Sequence, residues 1–300
     1  MKIQKRQSQF TSHEVWRLWV IQNVNSAGFA GLSFWSGCDS RVLGVLGLTL
    51  CLAGCVGTTG GELLTFDAYG AGPEDAVQGQ PYSFTNSRGY TITLDRAVVY
   101  IGAVYLNRSR PTSVGSDTGC FLSGIYGAEV TSGRFVDILS PEWQAFPEAG
   151  FGTTDRAFTG EVWLFGGNDV NDIHDSTRIL DVAGTAEKDG LSYPFEGQIT
   201  ISENRVEEPA SPAQPGSDPI CKQRVVTPIP VDIQLSDGGS LVIRVDPRGM
   251  FANVQFSALT LVQESPPLYQ FADNDDDAPG RNLYSGLRAA EGTYFFETAQ

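Results

Sequence analysis

Histidine is nearly missing from this chain. There are two in 300 residues, and only His174 lies beyond residue 54. One imidazole would have to serve every acid–base or metal role, and no HExxH pair exists to hold zinc. GxSxG, a glycine-rich phosphate loop, a dinucleotide fingerprint and CxxC are all lacking. Ser–His hydrolysis, nucleotide chemistry and a thiolate zinc site therefore lose their usual signatures. Basic residues are also scarce: 20 Lys+Arg stand against 35 Asp+Glu, a net charge of −15. Such a surface repels phosphate backbones, so nucleic acid is excluded as a partner. Long apolar runs are missing too. Val42 to Ala53 is twelve residues, a helical rise of roughly 18 Å against a hydrocarbon core of about 30 Å.

That short run has a distinctive end. It closes on Leu52-Ala53-Gly54-Cys55, with small residues before the cysteine where a peptidase must reach the backbone. The stretch from Arg41 to Cys55 resembles the lipobox of bacterial lipoprotein signal peptides. The resemblance implies that Cys55 receives a diacylglyceryl group, that the leader is removed, and that the new amine is acylated. It also implies an exported protein whose membrane partner is lipid, held through acylated Cys55. Two or more acyl chains hold a protein firmly, whereas one binds only marginally. Residue 56 is Val, not Asp, which by the same resemblance favours the outer membrane within the bacterial cell envelope. Forty residues precede Arg41, with three of the five Trp among them (Trp16, Trp19, Trp35). So long a signal is unusual, and residues 1–30 read as lying upstream of the true start.

Residues 1–54 hold five Lys+Arg and two Asp+Glu, so the 246 residues from Cys55 onward carry 15 basic and 33 acidic side chains, a net −18. Cys38 and Cys51 leave with the leader and Cys55 is lipidated. Cys120 and Cys221 remain, in a compartment that permits disulfides, and they are expected to pair. A loop of about 100 residues closed in this way stabilises by up to roughly 4–5 kcal/mol in the chain-entropy view.

The remainder reads as β. A Gly/Thr tether follows Cys55. Thr91 to Leu94 alternates apolar and polar. Val99, Ile101, Ala103 and Tyr105 share one face of a long strand, and Ala157 to Phe165 and Phe195 to Ile201 are further strands. Val231, Ile233 and Leu235 alternate up to Asp237-Gly238-Gly239, which turns into Leu241 to Val245, the clearest hairpin signal in the chain. Helical periodicity is scarce, with short turns expected only at Pro141–Ala149 and Pro247–Phe251, each opened by proline. The 34 Gly and 16 Pro punctuate the rest. The expected class is all-β: an antiparallel β-sandwich or barrel-like domain with long loops and few short helical turns. Three segments are expected: a leader, 1–54; the lipidated cysteine and tether, 55–72; and a single β-rich domain, 73–300. That domain carries a Pro-rich stretch at 203–219, read as a loop rather than an interdomain linker.

Two acidic constellations are the candidate sites. Asp172, His174 and Asp175 offer two carboxylates and an imidazole to a divalent cation, although Asn and Asp also dominate plain turns. Asp273, Asp275 and Asp277 have the alternate spacing with which a loop wraps calcium, yet Ala278 and Tyr284 stand where an EF-hand needs Gly and Glu. Without a cation this loop is a solvated acidic segment. Trp143, Trp163 and the many Tyr and Phe either line a ligand face or fill the core. The functional expectation is a non-catalytic binding or structural module at the cell envelope. The second reading is a metal-dependent or carboxylate hydrolase on the same scaffold.

Overall fold

A computed structural model describes residues 61–109, 125–167, 169–202, 205, 223–274 and 276–299. They fall in one compact unit, Thr58–Gln300, built almost wholly of strands.

Nine strands make the first sheet. Its order is β12 (Val225–Gln234), β9 (Arg156–Trp163), β4 (Ala103–Asn107), β5 (Tyr126–Val130), β8 (Gly150–Thr153), β1 (Leu63–Ala71), β13 (Ser240–Val245) and β16 (Tyr294–Ala299), with β7 (Gln144–Ala145) also on β1. The two ends of this order, β12 and β16, lie against each other, so the sheet curls into a nearly closed barrel. Phe296 of β16 reaches beneath Gly160 of β9, where a Cβ would meet its ring at 2.8 Å. Seven strands make the second sheet. Its order is β14 (Thr260–Glu264), β15 (Pro267–Phe271), β11 (Leu191–Thr200), β10 (Arg178–Lys188), β3 (Thr91–Ile101) and β2 (Tyr82–Thr85), with β6 (Arg134–Asp137) on β3.

The all-β class holds, with a structural reason for each departure from the simplest form. Most pairs are antiparallel, but β1–β13 and β11–β15 run parallel. The long strand read through Val99, Ile101, Ala103 and Tyr105 is divided between two strands in two sheets, and Thr91–Leu94 belongs to the first of them. At Gly102 the chain leaves β3 and enters β4, and its N–H donates to the Trp163 carbonyl at 2.7 Å. A Cβ there would strike the Phe165 carbonyl, so only glycine allows the two backbones to pass so closely. The Asp237-Gly238 turn is present, with Gly238 at φ +70°, but the expected hairpin is not formed. β12 pairs with β9, and β13 pairs with β1 and β16. The C-terminal strand β16 takes the place beside β13 that local turn chemistry reserves for β12.

Residues 63–71, assigned to the tether, form a strand of clean period two. Leu64, Phe66 and Ala68 point inward, while Leu63, Thr65 and Asp67 point out. The 141–149 stretch holds β7 and no helix. The turn expected at Pro247–Phe251 is a helix, α1, capped by Asp246. A second helix, α2 (Ala278–Leu287), was hidden within the acidic stretch. Asp277 caps it by accepting from the Gly280 N–H, and Pro279 sits in its first turn.

These helices and a 3-10 turn at Phe256–Ala258 pack on the second sheet. Phe251 and Phe256 stack at 6.1 Å between Phe195 of β11 and Phe271 of β15. All four rings are fully buried, each contributing about 1.5–3 kcal/mol relative to exposure. Asn86 ties the cover down, its side-chain amide donating to the Phe251 and Val254 carbonyls at 3.0 and 2.9 Å.

Candidate functional site

The two acidic constellations are built into the fold by arginine. Asp172 accepts from the His174 N–H at 2.9 Å, as Asn and Asp do in turns. Asp175 accepts from the Gly166 N–H and from the N–H and hydroxyl of Thr177, and lies 3.7 Å from the buried Arg224. Burial alone would raise its carboxyl. The hydrogen bonds from Thr177 and Gly166, with the Arg224 charge, outweigh that and hold it below the usual carboxylate range. Asp273 accepts from Thr200 through both its N–H and hydroxyl, and from Arg205 Nε and Nη2 at 2.9 and 2.8 Å. The Arg205 side chain is 0 % exposed and stacks 4.7 Å from the Tyr284 ring centre. Asp277 is the cap of α2. Asp275, Cys55, Cys120 and Cys221 lie outside the described residues, as does the 203–219 stretch apart from Arg205. Among the described residues no three His, Cys, Asp or Glu side chains gather as a metal cluster. At both constellations a guanidinium stands beside the acidic group the sequence singled out.

A different place has the form of a binding site. The turn from β2 to β3 and the turn from β10 to β11 meet the segment around Phe256 and enclose a cleft of about 330 Å³. Each turn has its sequence cause. Asn86 Oδ1 accepts from the Arg88 and Tyr90 N–H groups while Gly89 takes φ +80°. Asp189 and Gly190 sit at φ +53° and +77°, the type I′ hairpin pattern. Tyr90 and Tyr193 wall the cleft edge-to-face at 6.0 Å, and Tyr269 extends the row beyond Tyr193 at 5.4 Å. The Tyr90 hydroxyl donates to Ser257 Oγ at 2.9 Å. Desolvation, with Tyr90, Tyr269 and Asp189 nearby, raises the Tyr193 pKa above the ordinary tyrosine value, so its hydroxyl stays a neutral donor.

Charge is the cleft's most telling property. Lys188 lies 5.0 Å over the Tyr90 ring and donates to the Arg88 carbonyl at 2.7 Å. Neither Lys188 nor the Arg88 guanidinium meets a carboxylate among the described residues, whereas Arg96, Arg108, Arg156, Arg178, Arg205, Arg224, Arg244 and Arg248 all do. In a strongly acidic protein, two cations thus stand at one concave, aromatic place, with Asp189 the one carboxylate on its lining. No known protein family, curated protein or solved structure matches this chain. The chemistry of the cleft therefore carries the functional reading.

Sequence reasoning passed over this cleft because its residues come from three distant segments. The Asp189-Gly190 hairpin turn was the one local sign of it.

A second polar cluster sits on the outer face of the barrel. Glu161 of β9 is 2 % exposed and accepts from Asn107 Nδ2 at 2.8 Å, Trp163 Nε1 at 3.1 Å and the Tyr126 hydroxyl at 3.4 Å. Desolvation raises its carboxyl above the ordinary 4.5 despite these donors. The folded state therefore holds this proton to higher pH than the unfolded chain does. The Glu161 contribution to stability is full at low pH and is lost as pH rises from about 4.5 through the folded-state value. Glu161→Gln is expected to gain stability relative to wild type as pH rises through that window, at no more than about 1.4 kcal/mol per pH unit. Urea denaturation of both proteins from pH 4 to 7 checks this; a difference that stays constant with pH refutes it.

Proposed function

We propose that this chain is a lipid-anchored, non-catalytic binding module of the bacterial cell envelope. Its ligand is a small anion with a flat or ring-shaped face. The supporting observation is the Tyr90–Tyr193 cleft, where Arg88 and Lys188 outnumber the single carboxylate, Asp189. The two cations attract and orient an anionic group, the tyrosine rings offer apolar surface, and Gln255 and Ser257 supply amide and hydroxyl partners. A hexuronate combines these features most simply: one carboxylate, one pyranose ring and several hydroxyls. The anchor rests on the lipobox resemblance at Cys55 and on the short tether after it.

Both halves of the reading are testable. Palmitate labelling with membrane fractionation should show wild type labelled and in membranes, and Cys55→Ser unlabelled and released. An oligoglucuronate should raise the melting temperature of the mature protein, whereas uncharged oligoglucose should not. At ten times the dissociation constant the stabilisation is about 1.4 kcal/mol, and Arg88→Ala should remove it without lowering the melting temperature of the free protein. Equal responses to the charged and uncharged oligomers would remove the anion reading.

A further inference from the structure

The chain enters the barrel at a particular end, where several large apolar side chains are exposed. Gly61 and Glu62 are fixed there: the Gly61 N–H donates to Asp155 Oδ2 at 2.8 Å and the Glu62 N–H to Thr154 Oγ1 at 3.0 Å. Arg108, just past the end of β4, pairs with Asp155 at 3.1 Å, and its N–H donates to the Ile125 carbonyl at 2.8 Å. The start of β5 joins the end of β8 through Thr153 Oγ1 donating to the Gly127 carbonyl at 3.4 Å. Around this point four large apolar side chains face out: Leu63 at 89 % exposed, Ile125 at 59 %, Phe151 at 53 % and Tyr126 at 43 %. Leu63 pairs with Thr153, and Phe151 lies between Thr65 and Glu129 in the same sheet, so Leu63 and Phe151 share one outward face, and Ile125 and Tyr126 stand at the start of the neighbouring β5.

We infer that this end of the barrel rests on the lipid surface, with Leu63, Ile125, Phe151 and Tyr126 in the headgroup region; the inference rests on the reading that Cys55 is acylated. Tether length selects lipid as the occupant. Only residues 56–60 lie between Cys55 and Gly61, and fully extended they span at most about 22 Å. An anchor at Cys55 therefore holds Leu63 close to the membrane throughout. Burying apolar side chains at the acyl boundary adds to the anchor. The cleft is lined from β10, β11 and the turns of the second sheet, whereas the apolar side chains belong to strands of the first.

The test uses the acylated mature protein on phosphatidylethanolamine–phosphatidylcholine vesicles with brominated acyl chains, which quench tryptophan at the boundary. Phe151→Trp should show its added fluorescence quenched about twofold, as for a ring buried at the acyl boundary, and Leu191→Trp at the cleft should show no added quenching. Protein that sediments with vesicles while Trp at 151 stays unquenched would overturn the inference and leave the anchor standing. Equal quenching at both positions would overturn it as well. Protein that neither carries label from palmitate nor sediments would remove the anchor and this inference together.

Discussion

Asp273→Ala is expected to lower stability by about 2–3 kcal/mol, the range for hydrogen bonds to a charged group. Asp273 accepts two short hydrogen bonds from the Arg205 guanidinium, whose side chain is fully buried, and caps the end of β11 through Thr200. Urea denaturation in the presence of a calcium chelator measures the loss and separates two roles for the loop. A loss of this size with calcium removed assigns Asp273 to the fold. A loss under about 1 kcal/mol, growing only when calcium is added, would return the residue to the cation role that its spacing suggests. The pair can be apportioned by a cycle with Arg205→Met. The difference between the double loss and the sum of the two single losses gives the coupling energy of the pair.

Gly102→Ala should cost about 3 kcal/mol, near the upper end for a single added methyl group. The added carbon meets a backbone carbonyl, that of Phe165, which cannot rotate away as a side chain would. The same point carries the hydrogen bond to Trp163 and hands the chain from one sheet to the other, so any local shift spreads into β3 and β4. Gly127→Ala in β5 is the control, since its Cβ meets only the flexible Arg108 side chain at 3.1 Å, and it should change stability by less than about 1 kcal/mol. Thermal unfolding of the two variants side by side decides the matter. Equal melting temperatures would mean that the sheet crossing yields easily.

The contrast between these glycines shows how far local pattern carries. Alternation identifies β11 because it buries one face, and burial of one face writes a period of two into the residues themselves, whereas β9 and β13 bury residues on both faces and read as apolar runs. The Asp237-Gly238 turn is legible for the same reason: positive φ selects glycine. Pairing is a different matter. Nothing in Val231 to Val245 says that the last six strand residues of the chain will stand beside β13, because that choice is made by the closing of the barrel. Gly102 reads as one more glycine until the Phe165 carbonyl is placed against it. Asp273 and Asp277 have the spacing of calcium ligands, and that spacing is equally the sequence of a helix cap beside an arginine partner. Arg205 lies 68 positions from Asp273 in the chain, beyond the reach of any motif.

The chain's own sequence determined the β class, the positions of β3, β4, β9, β11, β12 and β13, the acidic surface and the lipobox resemblance, all of which follow from composition or from periods of a few residues. Tertiary structure alone decided which strands are neighbours, where the chain crosses between sheets, which carboxylates are bound to buried arginines, and the gathering of Arg88, Tyr90, Lys188 and Tyr193 around one cleft. The physical reason is range. Alternation, turn conformations and capping are settled by a residue and its near neighbours, whereas charge pairing and concave surfaces need groups from distant segments to be desolvated together, and only the closed core does that.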